Sequence, residues 1–472
     1  MPHSVILSRE VMMVSSIIPA GLWLLGEVKA VLQLLWGDIA LENWTGIHFS
    51  VEILCLLIPT LWCTTMASST IAVVASIVVT SLYCNVILGV YTRDALRKED
   101  SSADWLPKYF RKLTDLWKRD RAAALLGPRK DFISNYRASI MAMTCITILA
   151  VDFKVFPRRF AKTEVYGTGL MDLGVGVTLF ASGVSRGCKD ASVQGMLPWQ
   201  PRPRALLPEL LSCARWSWPL LALGISRLVA IKALNYQEHV SEYGIHWNFF
   251  ATIFCVRMLA VVSRLICPLR LRVPVAFACL CVYQWLLCEQ GLTDFVVHSP
   301  RDSFFSKNRE GILGLLGFAT TYLVGEAMGR SLALQPSTEE HEEQVNHLSR
   351  VCVTRLSGAA FALWALTLLS RSFVQDTSRR LVNLTYVLWV CAYSVLVLLL
   401  LLLVDLFCTR PPRSKLLSAV NSNMFMVFVV ANLLTGGINL CMRTLDANDS
   451  TAMVVLFTYS VGVMVIASVV AR

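Results

Sequence analysis

An all-α polytopic integral membrane protein, with about 12–13 transmembrane helices and no soluble domain, is the fold class this sequence predicts. Three observations carry the prediction. Of 472 residues, 55% are hydrophobic and 16% charged, and the mean hydropathy is +0.58, too apolar a balance for a water-soluble domain. The apolar residues gather into runs of about 17–25, the length that crosses a hydrocarbon core of roughly 30 Å as helix. The segments between the runs alternate in basicity, as the positive-inside rule requires of cytosolic and exoplasmic loops.

In chain order the runs fall near 11–36, 50–68, 70–91, 138–151, 167–185, 213–232, 247–268, 274–291, 312–327, 351–373, 384–407, 421–441 and 451–470. Leu396 to Val404, nine successive Leu or Val residues, is the clearest core, whereas Glu27 and Lys29 weaken the first run. The loop 92–137 holds twelve basic and seven acidic residues and is expected in the cytosol. Its Trp105, Tyr109, Phe110, Leu113 and Trp117 fall roughly on one helical face, which predicts a helix lying on the membrane surface. Counting spans forward puts 186–212, the turn at Arg270 and Arg272, 328–350 and 408–420 on the same side. Segments 152–166, 233–246, 292–311, 374–383 and 442–450 then lie opposite. Residues 1–42 are set apart as an N-terminal extension with a candidate transmembrane helix, and 43–472 as the multi-span domain.

Segment 152–162, DFKVFPRRFAK, breaks the charge rule, because Lys154, Arg158, Arg159 and Lys162 sit where basic residues are normally excluded. Snorkelling to lipid headgroups is one reading; an anionic ligand is the other. The adjacent Asp152 favours the ligand, since a lipid phosphate has no use for a carboxylate. Arg158 and Arg159 suit phosphate oxygens, which guanidinium forks bind in pairs, and Pro157 is expected to stop a helix. Gly167, Gly169, Gly174 and Gly176 read as close helix packing within an apolar span, with Asp172 among them as an intramembrane carboxylate that needs a partner. His239 and His246, seven apart, would share one helical face. Fifteen cysteines show no CxxC pair and no histidine spacing that suits a metal, so no metal is expected. Asn383-Leu-Thr and Asn448-Asp-Ser are exoplasmic sequons, and Asn43-Trp-Thr falls on the cytosolic side.

The stretch from 146, ITILAVDFKVFPRRFAKTEVYGTGLMDLGVG, resembles the signature of the inositol acyltransferases of glycosylphosphatidylinositol (GPI) anchor assembly. Further likenesses follow in order: Asn43-Trp44-Thr45-Gly46 with Glu52-Ile53, YQEHVSEYGIHWNFFAT at 236–252, KNREGILGLLGF at 307–318, SRRLVNLTYVLWV at 378–390 and NSNMFMVFVVANLLTGGINL at 421–440. Residues 1 to about 40 precede the region where that likeness usually begins. The resemblance implies an endoplasmic-reticulum, multi-pass membrane enzyme with the Asp152 segment on the lumenal side. It would move an acyl group, typically palmitoyl, from acyl-CoA as co-substrate to the inositol of glucosaminyl-phosphatidylinositol. Its paired functional residues correspond to Asp152 and Lys162. Membrane lipids are the other expected partners; no nucleic acid and no bound cofactor are expected.

The residues permit that chemistry. An inositol hydroxyl attacks once a base takes its proton, and burial can lift a carboxylate pKa toward neutrality, so Asp152 is the expected base. Lys162 would stabilise the oxyanion formed on the thioester or orient Asp152. Arg158 and Arg159 would meet a phosphate of the GPI lipid or of CoA, with Asp172 in support. Asn248, Asn308, Glu310 and Asn432 are expected sugar-hydroxyl contacts. Two alternatives stay open: a membrane O-acyltransferase with His246 as base, and a multi-span lipid transporter or flippase, against which no second copy of DFxxFPRRFxKT is found.

Overall fold

Helices and irregular connections account for every described element, with no strand among the described residues. The computed structural model describes residues 3–36, 45–65, 77, 130–193, 205–233, 242–333, 341–408 and 414–471. The expected span at 70–91, apart from Ile77, and the loop from 92 to 129 with its aromatic face lie outside the described residues.

In order the helices are α1 (His3–Trp36), α2 (Thr45–Glu52), a π-turn (Ile53–Leu57), α3 (Ile58–Thr65), α4 (Asp131–Ala150), α5 (Gly174–Val193), α6 (Leu206–Ala233), α7 (Phe249–Ile266), α8 (Leu269–Glu289), α9 (Leu292–Val297), α10 (Phe304–Lys307), α11 (Arg309–Leu332), α12 (His341–Phe373), α13 (Leu384–Phe407), α14 (Lys415–Ser422), α15 (Met424–Cys441) and α16 (Asp449–Val470). Among the described residues nine are long and apolar enough to cross a membrane: parts of α1, α12 and α13, together with the whole of α4, α7, α8, α11, α15 and α16. The protein is a multi-span helical membrane protein.

Several boundaries move, each for a visible reason. Helix α4 begins at Asp131, inside the expected 92–137 loop, because 131–137 continue the helix through buried Phe132, Ile133 and Tyr136. It ends at Ala150, seven residues before Pro157, so the proline is not what stops it. The glycine-rich span expected from 167 starts only at Gly174; before that the chain is held open as loop and a 3-10 turn, Leu170–Asp172. The last turns of α5 also carry Arg186, Lys189 and Asp190, which keeps it out of the nine. The run at 421–441 is broken at Asn423 between α14 and α15.

The chain divides into two compact units, Met1–Ala161 with Pro336–Ser357 and Leu396–Arg472, and Lys162–Gln335 with Gly358–Val395. In the first, the charges that weakened α1 are both matched. Lys29 pairs with buried Glu52 at 3.1 Å, and the Cys408 thiol donates to buried Glu27 at 3.5 Å. Glu52 also accepts from the Ser414 hydroxyl at 3.0 Å and the Lys415 and Leu416 amides at 3.0 and 2.8 Å. It thereby satisfies the open N–H groups at the start of α14, where the helix dipole favours an anion. The Tyr459 hydroxyl of α16 donates to the Cys145 carbonyl of α4 at 3.0 Å and receives from Thr435 of α15 at 3.3 Å.

In the second unit, α5 and α11 run parallel with their backbones touching. A Cβ at Gly183 would strike the Tyr322 carbonyl and lie 2.8 Å from the Glu326 amide nitrogen; one at Gly187 would strike the Glu326 carbonyl and lie 2.8 Å from that of Arg330. From the other side, Gly325 faces the Phe180 carbonyl and Gly329 that of Val184. Two small-xxx-small pairs thus interlock, which is how lipid-embedded helices gain contact where no hydrophobic force drives them together. Gly187→Leu or Gly325→Val is expected to cost at least the roughly 1–3 kcal/mol of an overpacked core. Gly436→Ala, whose Cβ meets nothing within 4 Å, should be near neutral; melting temperatures of the purified variants check both.

Candidate functional site

Asp152 belongs to the first unit, two residues beyond the end of α4. The intervening chain turns through Val151–Phe156 and a 3-10 turn, Arg158–Phe160, and buried Phe153, Phe156 and Phe160 anchor it. The half-buried Asp152 carboxylate accepts one hydrogen bond at Oδ2 from the Asn439 amide of α15, at 2.9 Å. Burial raises its pKa above the ordinary carboxylate value, and the Asn439 bond and the Arg158 charge work against that rise. The Asn439 Oδ1 is buried with no hydrogen-bond partner, so one face of that amide aims an unused acceptor beside the carboxylate. Arg158 donates to the Val151 carbonyl at 2.8 Å, folding its exposed side chain back toward the Asp152 backbone, and Arg159 pairs with Glu10 at 2.6 Å.

Lys162 opens the second unit. Its ammonium is 2.8 Å from each oxygen of Glu242. The Arg379 guanidinium lies 3.7 Å from that same glutamate and donates from Nε to Asp172 at 2.9 Å. Cation, anion, cation and anion therefore alternate from Lys162 to Asp172. Burial works against the Arg379 charge, but Glu242 and Asp172 outweigh it and hold the pKa above the usual arginine value. Asp172 is fully buried and organises the loop before α5. It accepts the Thr163 amide at 3.0 Å and the Gly169 amide at 2.8 Å, while its own carbonyl takes the Tyr386 hydroxyl at 2.8 Å. Gly167, at φ 141°, supplies the turn that brings those amides round.

The partners come from loop 374–383, which is held in place from inside. Asn383 donates to the Gln375 side chain and the Asp376 carbonyl at 3.1 and 2.8 Å, and accepts the Ser378 and Tyr386 amides at 3.2 and 3.0 Å. The Gly167 amide bonds the Thr377 carbonyl at 2.8 Å. Val382 is forced to φ 49°, a left-handed geometry that costs a β-branched residue energy, and its side chain and carbonyl press on Gly314 and Gly317 of α11. The Asn383 sequon is buried and its amide fully engaged, so in the folded chain it accepts no glycan.

The other expected residues are accounted for by internal bonds. Asn248 caps α7, accepting the Ala251 amide at 3.0 Å and donating to the Gly224 carbonyl at 2.9 Å. Buried Asn308 accepts the His246 amide at 2.8 Å and donates to the Phe304 carbonyl at 2.9 Å. Buried Glu310 is gripped by Arg301, at 3.0 and 2.5 Å, and by Arg380 at 3.1 Å. Asn432 is exposed on α15 and donates to the Phe428 carbonyl at 2.7 Å. Residues 242–248 form turns and bends rather than helix, so His246 lies on no helical face. Its amide is tied to Asn308 and its ring stacks on Phe304 with centroids 6.4 Å apart; His239 lies outside the described residues. Glu242, Arg379 and Asn439 were not singled out as site residues. Arg379 and Asn439 nonetheless sit inside the segments 378–390 and 421–440 quoted for the resemblance.

Multi-span helical membrane proteins that hold paired cations and carboxylates just beyond the ends of their spans form the class that this fold and these clusters define. A profile of the GWT1 family matches residues 7–470, taking in most of the segment 1–42 that the sequence sets apart. The chain is 40% identical over 377 residues to GPI-anchored wall transfer protein 1 of Eremothecium gossypii, covering 75% of this chain and 77% of that protein. It is 36% identical over 356 residues to the Saccharomyces cerevisiae protein of the same name, covering 70% and 71%. The Dictyostelium discoideum phosphatidylinositol-glycan biosynthesis class W protein is 32% identical over 396 residues, covering 77% and 78%. The chain belongs to the GWT1 family.

Asp172→Asn should cost about 3–5 kcal/mol by leaving Arg379 partly uncompensated in a buried site. The double variant with Arg379→Met should lose less than the two single losses together, because the stranded charge is gone. Denaturation of the single and double variants measures the coupling.

Proposed function

We propose that this chain acylates the inositol ring of glucosaminyl-phosphatidylinositol in GPI-anchor assembly, with acyl-CoA, most simply palmitoyl-CoA, as donor. The relatives' names support the pathway, and Asp152 supports the chemistry. A carboxylate whose pKa burial has raised, at the mouth of a span and held by a neutral amide rather than an ion pair, is shifted in the direction a general base requires.

In this reading Asp152 takes the proton of an inositol hydroxyl while the oxygen bonds to the acyl carbon of the thioester. The negative charge that builds on the acyl oxygen calls for a fixed cation, the role the resemblance gives to Lys162, and a single preorganised donor of this kind is worth about 3 kcal/mol. The carbon–sulfur bond then breaks, and the proton held by Asp152 leaves on the thiol of CoA. Glu242 orients the lysine through both carboxylate oxygens. Arg158 is exposed and available to a phosphate oxygen, and Asn439 sets the carboxylate's orientation.

The location that goes with this reading is the endoplasmic-reticulum membrane, with the Asp152 segment lumenal. Contacts inside each unit support the alternation of sides on which that assignment rests. In the second unit, segments 162–172, 242–248, 292–311 and 374–383 bond to one another, and the charge count put them on one face.

Labelled palmitoyl-CoA and glucosaminyl-phosphatidylinositol given to the purified protein should yield acylated lipid; translocation of either without transfer would instead support a transporter. Asp152→Asn should reduce turnover by three orders of magnitude or more while melting normally, and His246→Gln should retain most of it. Lys162→Ala should lose about a hundredfold, with partial recovery in Lys162→Arg.

Asp152 acts only when ionised, so turnover should fall as pH drops through its raised pKa. Asn439→Ala removes a bond that lowers that pKa and should move the acidic limb of kcat/KM to higher pH. An unmoved limb would show that Asn439 serves packing alone.

A further inference from the structure

A second ionic cluster lies at the other end of α5 and α11 from Asp172 and Glu310. Arg272 of α8 pairs with Glu326 of α11 at 3.1 Å, and Arg330 pairs with that glutamate at 2.8 Å and with Asp190 of α5 at 3.0 Å. Arg186 meets Asp190 at 2.8 Å. Arg264 of α7 offers its carbonyl to Arg272 at 3.3 Å and acts on it electrostatically.

Three guanidiniums thus pair with two carboxylates, and with the nearby Arg264 charge these six described side chains carry an excess of two positive charges. Arg272, Glu326 and Asp190 are buried. Two of the cluster's polar atoms, Arg330 Nε and Glu326 Oε2, are buried without a hydrogen-bond partner. A network built only to hold helices together at a membrane boundary has reason to balance its charge and to fill its donors. An excess of two matches a phosphate monoester dianion or a diphosphate, for which several guanidinium forks are the preferred ligand. The cluster also gathers segments that the lysine and arginine count assigns to the cytosol: 186–212, the turn at Arg270 and Arg272, and 328–350.

We infer that the Arg186, Arg264, Arg272 and Arg330 cluster is a binding site for a phosphate-bearing group on the cytosolic face of the second unit. The phosphate belongs either to a soluble diphosphate such as that of the acyl donor or to an anionic lipid headgroup. The donor assignment rests on acyl-CoA being the co-substrate; the site itself does not. Glu326 Oε2 faces the same cluster, so the ligand is expected to carry a hydrogen-bond donor near its phosphate, as both candidates do.

The test is thermal melting of the full-length protein in neutral phosphatidylcholine nanodiscs, with inorganic diphosphate, with unacylated CoA, and in discs containing phosphatidylserine. It reads binding whether or not the protein transfers acyl groups. Melting temperature should rise with at least one of the three. A rise with diphosphate and CoA identifies the soluble source, and a rise with phosphatidylserine alone identifies the lipid. Arg186→Gln, half-exposed and therefore safe for folding, should weaken the response about tenfold in ligand concentration. Glu326→Gln should melt lower without ligand and gain more from it, because it adds to the positive excess. The inference is overturned if none of the three ligands moves the wild-type transition, or if Arg186→Gln and Glu326→Gln respond as the wild type does.

Discussion

Backbone that leaves the helical pattern beside a membrane must find every hydrogen bond inside the protein, and Asp172 is how this chain meets that constraint. One buried carboxylate gathers the Thr163 and Gly169 amides and the Arg379 guanidinium. The loop before α5 could otherwise continue as helix, satisfying its amides locally. Held open, it presents Lys162 to Glu242 and receives the Thr377 carbonyl at Gly167. The cost of a buried charge is offset by three charge-assisted bonds. Once that pair forms, loop 374–383 has little freedom, and Val382 is driven into a backbone geometry that valine would not choose.

The same logic recurs at three other buried carboxylates. Glu52 satisfies the start of α14, Glu310 is clasped by two arginines, and Glu326 by two more. None of these carboxylates faces lipid unmatched. Asp152 differs in kind: its partner is a neutral amide, and its burial is only partial. Burial raises the pKa of that carboxylate against the Asn439 bond and the Arg158 charge.

Much of this was legible in the residues, and the limits are physical. Spans with a strong apolar excess, such as 384–407 and 451–470, were readable because length and hydropathy dominate their free energy. Glu27 and Lys29 misled, since the partners that satisfy them, the Cys408 thiol and the Glu52 carboxylate, lie elsewhere in the chain. Of the Gly167–Gly176 stretch, Gly176 does pack closely, against Val390 and Tyr386 of α13, while the α5–α11 contact uses Gly183 and Gly187. Composition does not reveal that a carboxylate at 172 would capture the earlier amides. Asp152 and Lys162 announced themselves by charge placed against the topological bias, whereas Asn439 is an uncharged residue whose significance depends on what it touches. Glu242 and Arg379 lie in segments the resemblance already marks, but their pairing with Lys162 and Asp172 shows only when loops more than a hundred residues apart are brought together. Glu326 was available as a carboxylate inside a predicted span, a signal that could have exposed the second cluster.

The occupied amide of Asn383 also bears on how this chain matures. Oligosaccharide transfer acts on sequons while they are still extended, and the Asn383 side chain can be modified only before loop 374–383 closes around it. A sugar added there would replace one of the two amide hydrogens that bond Gln375 and Asp376 and would not fit the buried place the side chain takes in the loop. A glycosylated Asn383 would therefore mark a molecule that missed its folding window, which makes glycosidase sensitivity at this position a gauge of assembly speed.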